Sequence, residues 1–142
     1  MYKIIPESNG RKLSFSITVG LQEGYGPTGT IHEPDELLEV IEGWMQYRLA
    51  NHQHFVTGIL SDPKTVVYAY MYENTPVSAT EPVITFSGEI SNLYNQELIT
   101  NIHVARETVN DLASLLGKTT NQSRVYVSLG DGTWILEKTD EV

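Results

Sequence analysis

Four glycines stand between residues 20 and 32 of this sequence, Gly20, Gly24, Gly26 and Gly29, interleaved with groups that bind or orient small polar molecules: Tyr25, Thr28, Thr30 and His32. Backbone N–H groups in so glycine-rich a stretch are open to a ligand. The stretch runs into Glu33-Pro34-Asp35-Glu36, a helix start where the macrodipole favours negative charge. A phosphate or carboxylate could be cradled there, with the Tyr25, Thr28 and Thr30 hydroxyls adding orientation. No Gly-Lys-Ser or Gly-Lys-Thr follows, and the glycines do not fall at dinucleotide-fingerprint intervals, so neither of those phosphate motifs applies. The bland reading of the same residues is a surface loop whose glycines serve turns.

The cations are few. Arg48, Arg106 and Arg124 are isolated among twice as many acids as bases, and guanidinium groups are the usual bidentate holders of carboxylate or phosphate. Convergence of Arg106 or Arg124 with the glycine loop would make an anionic small ligand plausible, whereas pairing with local glutamates would make them surface balance. The candidate ligand-binding set is therefore Gly24, Tyr25, Gly26, Thr28, Thr30, His32, Arg106 and Arg124.

His52 and His54 stand two apart before a strand and would share one side of an extended segment, as some metal sites require. No third ligand stands nearby in sequence, and histidines at a helix C-terminus are favoured there by the dipole alone. His103 falls beside an apolar helix stripe and reads as a partly buried packing residue. No serine sits in a Gly-x-Ser-x-Gly elbow, and there is no cysteine, which removes thiol catalysis, disulfides and cysteine-bound zinc. The carboxylates Asp35, Glu36, Glu39 and Glu42 read as the solvent side of a helix. No catalytic residue, metal ligand or cofactor is assigned.

A formal net charge of −9 over 142 residues argues against direct nucleic-acid or anionic-membrane binding, both of which need a basic footprint. There is no apolar run of about 18 residues and no long apolar leader, which points to the cytoplasm. The length suits a single domain, taken as residues 1–142.

The elements that would position these residues follow from periodicity. Residues 2–5 read as a short edge strand turned back by Asn9-Gly10. Residues 13–19 alternate strictly, Leu13, Phe15, Ile17 and Val19 against Ser14, Ser16 and Thr18. A first helix starts at Glu33 or Pro34, or a turn earlier from Thr30 through a capping box with Glu33. It carries the stripe Leu37, Val40, Ile41, Trp44, Met45 and Leu49. Residues 55–60 and 65–72 flank Ser61-Asp62-Pro63-Lys64 as a hairpin, the second bearing the row Tyr68, Tyr70 and Tyr72, suited to a subunit contact. Residues 73–81 read as a connector and 82–90 as a strand. A second helix carries Leu98, Ile102, Ala105, Val109, Leu112 and Leu116 and ends at a left-handed Gly117. Residues 124–129 and 133–138 pair around Gly130-Asp131-Gly132.

This order predicts an α+β fold: a two-layer sandwich with a mostly antiparallel sheet and two helices on one face. In element order it resembles a ferredoxin-like domain with extra strands. The function expected from the sequence is a non-enzymatic, homo-oligomeric domain holding a small polar or phosphate-bearing, nucleotide-like ligand at the 20–32 loop. Two alternatives stand beside it. One is an acidic interaction module or inhibitor, for example from a phage or other mobile element, that covers a basic protein partner. The other is a histidine-dependent hydrolase or metal enzyme.

Overall fold

Strand β1 (Ser14–Gly20) lies mid-sheet because its alternation is complete: Phe15, Ile17 and Val19 are buried while Ser14, Ser16 and Thr18 face the other way. The computed structural model describes residues 1–24 and 28–139 of the chain. After β1 come α1 (Pro34–Ala50), β2 (Ile59–Leu60), β3 (Lys64–Tyr72), β4 (Thr75–Glu89), α2 (Gln96–Thr100), α3 (Ile102–Thr119), β5 (Arg124–Leu129) and β6 (Gly132–Glu137). The result is a mixed α+β fold of one antiparallel sheet and three helices. The strands run in the order β2-β4-β1-β5-β6, with β3 also paired to β4. Thr18 sits opposite Thr85 of β4 on one side and Tyr126 of β5 on the other.

The helices cover the sheet through one apolar cluster. Leu37, Ile41 and Trp44 of α1 and Ala105, Val109, Leu112 and Leu116 of α3 join Ile17, Ile84, Phe86 and Val127 in it. Helix α3 lies across β1, β5 and β6, and α1 packs on α3. Gly117 explains how closely: a Cβ there would stand 2.6 Å from Val125 Cγ2, so the helix backbone rests directly on the Val125 side chain of β5.

The structure corrects several expectations. Residues 2–5 form no strand. Tyr2, Ile4 and Ile5 are exposed and a single 3-10 turn (Pro6–Ser8) follows, so the Asn9-Gly10 pair closes no hairpin. The hairpin is β3–β4, not residues 55–60 with 65–72. Glu73 and Asn74 both take left-handed backbone (φ 48° and 64°), which is what a two-residue turn between twisted strands demands. The expected connector 73–81 is thus this turn followed by the first half of a fifteen-residue strand, while β2 pairs with the far end of that same strand. The second helix is interrupted at Asn101, whose side-chain Oδ1 accepts the backbone N–H groups of His103 (3.2 Å) and Val104 (3.4 Å) and so caps a new helix. That cap leaves His103 in the exposed first turn rather than packed inside. Gly117 lies within α3, and the left-handed residue after the helix is Asn121. Among the described residues no helix is long and apolar enough to cross a membrane.

Candidate functional site

Between the side chains that β1, β4 and β5 bury in the core stand others that point the opposite way. Strand alternation puts Thr18, Thr85, Val83, Arg124 and Tyr126 on that side, opposite the buried Ile17, Ile84 and Val125. Here the loop after β1, the β3–β4 hairpin and the start of β5 meet around a cavity of about 480 Å³, walled by Thr18, Gly20, Gly24, Tyr68, Glu81 and Arg124 among others. A second cavity of about 990 Å³ adjoins it, with Gln22, Ile31 and Tyr70 in its wall. The two share Gly24, Tyr68 and Glu81.

Each wall is held by identifiable contacts. Gln122 Nε2 donates to the Gln22 carbonyl (2.7 Å) and to the Thr120 carbonyl (3.2 Å), which ties the loop to the entry of β5. The Gln122 amide stands against Gly20, where a Cβ would meet Oε1 at 2.3 Å, so a larger residue there would displace that amide and its hydrogen bonds. Thr18 and Thr85 share a 2.8 Å hydroxyl contact on the floor. The rings of Tyr68 and Tyr70 are stacked, their centroids 6.0 Å apart. Among the described residues the Glu81 carboxylate makes no hydrogen bond or ion pair, although Glu81 is half-buried. That leaves a negative charge facing the cavity and open to a cation.

The sequence-predicted residues divide. Gly24 and Arg124 stand in the cavity wall. Thr28 and Thr30 are exposed on the loop, the Thr30 carbonyl accepting from the Glu23 N–H at 2.9 Å. Tyr25 and Gly26 lie outside the described residues. His32 turns away from the cavity, between Glu23 and Glu36. Arg106 is elsewhere, its guanidinium 4.3 Å over the Trp134 ring, beside a separate cavity with Arg11 and Lys12. Arg48 is committed to Asp111 at 2.7 Å, and Arg124 reaches Glu137 only at 3.7 Å, both half-exposed. His54 pairs with Glu97 at 3.1 Å. Among the described residues no group of three or more His, Cys, Asp or Glu is placed to hold a metal ion.

Sequence reasoning did not single out Glu81, Gln122 or Tyr126, and it read Tyr68 as part of a contact surface. Tyr68 carried a visible signal in its alternation with Tyr70 and Tyr72. Glu81 carried none, because its segment read as a connector.

No protein-family model matches the sequence, and no curated protein matches it. Solved structures do. One, described as a phage SAM lyase in complex with S-methyl-5'-thioadenosine, superposes with a TM-score of 0.61 over 96% of this chain and 97% of its own, at 18% identity. A second, a phage SAM lyase in the apo state, gives a TM-score of 0.55 with the same coverage at 21% identity. Both are enzymes. The expectation of a non-enzymatic binding domain, with its inhibitor and histidine-hydrolase alternatives, is corrected by this finding, because the proteins sharing the fold from end to end are lyases. The sequence reading failed there because it looked for a complete catalytic constellation of histidine, serine or metal ligands.

Proposed function

We propose that the protein is a lyase of S-adenosylmethionine (SAM) that breaks the bond between the sulfonium sulfur and the γ-carbon of the methionine arm. The fold likeness over nearly the full length of both chains to a phage SAM lyase holding S-methyl-5'-thioadenosine carries this reading. In the reaction the sulfur keeps the electron pair and becomes the neutral thioether of methylthioadenosine. The arm's own carboxylate closes on the γ-carbon to form a five-membered lactone. Neither water nor an outside nucleophile is consumed, so positioning and electrostatics are the enzyme's contribution.

The residues at the cavity suit those tasks. The unpartnered Glu81 carboxylate is placed to attract the sulfonium and ammonium charges, and the stacked Tyr68 and Tyr70 rings offer an apolar plane for adenine. Arg124 complements the arm's carboxylate, Gly24 supplies a wall of the cavity, and the exposed Thr28 and Thr30 hydroxyls of the same loop are further candidates for contact. SAM at neutral pH carries one net positive charge, which a −9 chain attracts.

Incubation with SAM and chromatography of the products tests this. Methylthioadenosine should appear together with the lactone, and Glu81→Gln should lower kcat/KM by about 100-fold with an unchanged Tm. Production no faster than without protein overturns the reading.

Self-association belongs to it. Val67 and Met71 on one side of the β3–β4 hairpin, and Tyr70 and Tyr72 on the other, are all exposed, and such paired bare faces call for cover by a second copy. A monomeric mass by light scattering would remove that part. The strand order, with α1 and α3 in one cluster, supports a ferredoxin-like two-layer arrangement extended by β3 and β6. A crystal structure with the two helices on opposite sheet faces would overturn that.

A further inference from the structure

The base of the loop after β1 is a narrow ladder. Gln22 bridges Ile31, the Glu23 N–H donates to the Thr30 carbonyl (2.9 Å), and the His32 N–H donates to the Leu21 carbonyl (2.7 Å). Gln22, Gly24 and Ile31 line the cavity. Glu23 and His32, their chain neighbours, meet each other instead: His32 Nε2 lies 3.0 Å from Glu23 Oε1, and Nδ1 lies 2.8 Å from Glu36 Oε2 on α1. The second Glu36 oxygen accepts the Glu33 backbone N–H at 3.3 Å, so that carboxylate joins helix start, loop and imidazole.

A neutral imidazole has one N–H and can donate to only one of two carboxylates; its other nitrogen would present a lone pair to the second. Both contacts are attractive only when the ring carries both protons, and each is then a charge-assisted bond. The His32 side chain is 13% exposed, less than either carboxylate that it meets. Among the described residues no lysine or arginine pairs with either carboxylate, so nothing competes with the imidazolium for them.

We infer that His32 is a positioning residue: as an imidazolium shared between Glu23 of the loop and Glu36 of α1, it holds the Gln22 to Gly24 wall of the cavity in place for the nucleoside ligand. The inference rests on the reading of that cavity as the methylthioadenosine site. The hydrogen bond with Glu36, then that with Glu23, raises the His32 pKa above its ordinary 6.5, against the lesser opposing effect of burial. A raised value means that the clamp is complete below pH 6.5 and is lost as pH climbs through the higher, folded-state value.

Imidazole nitrogen NMR on the whole chain needs no substrate. At pH 6 both His32 ring nitrogens should be protonated, and the ring should lose its proton only as pH climbs above 6.5. Calorimetry with methylthioadenosine at pH 6.5 should show binding about 5-fold or more weaker in His32→Gln. Glu36→Gln, a half-exposed change that leaves the Glu23 bond, should give a smaller loss. The parent should weaken by the same increment as pH passes through its His32 titration. Amide exchange at Gln22 and Gly24 should accelerate in His32→Gln. A singly protonated ring at pH 6, or unchanged exchange at Gln22 and Gly24, overturns the assignment, as does parental methylthioadenosine affinity in His32→Gln at every pH. If the parent itself fails to bind methylthioadenosine, the cavity reading falls, and the ring protonation and amide exchange still decide the role of His32.

Discussion

Helix α1 is fastened at each end by a charged side chain gripped between partners, and the two fastenings are built from opposite chemistry. At its N-terminus the cation is His32, held by Glu23 and Glu36 at 3.0 and 2.8 Å. Towards its C-terminus the anion is Asp111 of α3, which accepts from Trp44 Nε1 (2.9 Å) and pairs with Arg48 (2.7 Å). Arg48 also lies 5.1 Å from the Trp44 ring centroid and donates to the His54 carbonyl at 2.9 Å, so every part of that junction serves the fold. Burial opposes ionisation of Asp111, but the hydrogen bonds from Trp44 and Arg48 outweigh it and hold its carboxyl below the ordinary 3.8. The junction therefore keeps its full contribution above pH 3.8 and loses it as pH falls through the lower, folded-state value. The His32 clamp fails in the other direction, as pH rises. Only the clamp whose charge can change near neutrality adjoins the candidate site.

Breaking the C-terminal fastening has the largest expected effect. Trp44 is nearly fully buried in the core cluster, so Trp44→Ala removes packing as well as the bond to Asp111. It should cost about 3–5 kcal/mol of unfolding free energy in urea titration. A loss below about 1 kcal/mol would show that α1 does not depend on this junction. Asp111→Asn is milder because the carboxylate is half-exposed, and should cost about 1 kcal/mol near pH 6. Its gap to the parent should stay constant down to pH 3.8 and close below it. A gap that closes on the alkaline side would reverse the comparison.

Much of this was legible in the sequence, and the reasons are local. The β1 alternation, the Leu37, Ile41 and Trp44 stripe, the Pro34 helix start and the Gly130 turn each rest on near neighbours, and each stands where periodicity puts it. Gly24 and Arg124 line one cavity, a meeting of distant segments that the sequence left as a condition. Residues 73–81 were not legible as strand. Pro76 and Pro82 demote a run to a connector by rule, and Glu73-Asn74 lacks the glycine that marks a tight hairpin. Glu81 was lost with that strand. Residues 2–5 failed in the opposite way: an apolar run with a good turn behind it forms no strand unless a neighbouring edge takes it up. The three arginines looked alike because commitment is tertiary, and only the fold shows Arg48 locked to Asp111, Arg106 on Trp134 and Arg124 at the cavity.

The smallest change sharpens the comparison by separating helix strength from end chemistry. Gly43 sits inside α1 between the two fastenings, with helical backbone and no atom within 4 Å of the position a Cβ would take. Glycine in a helix interior is weaker than alanine because the unfolded chain has more freedom to lose. Gly43→Ala should therefore raise stability by roughly 0.5–1 kcal/mol. Since the added methyl touches neither His32 nor Asp111, the gain should be the same at pH 4, pH 6 and pH 8, and methylthioadenosine affinity should not move. A gain that varied with pH would mean that the two ends of α1 are coupled through the helix rather than fastened independently.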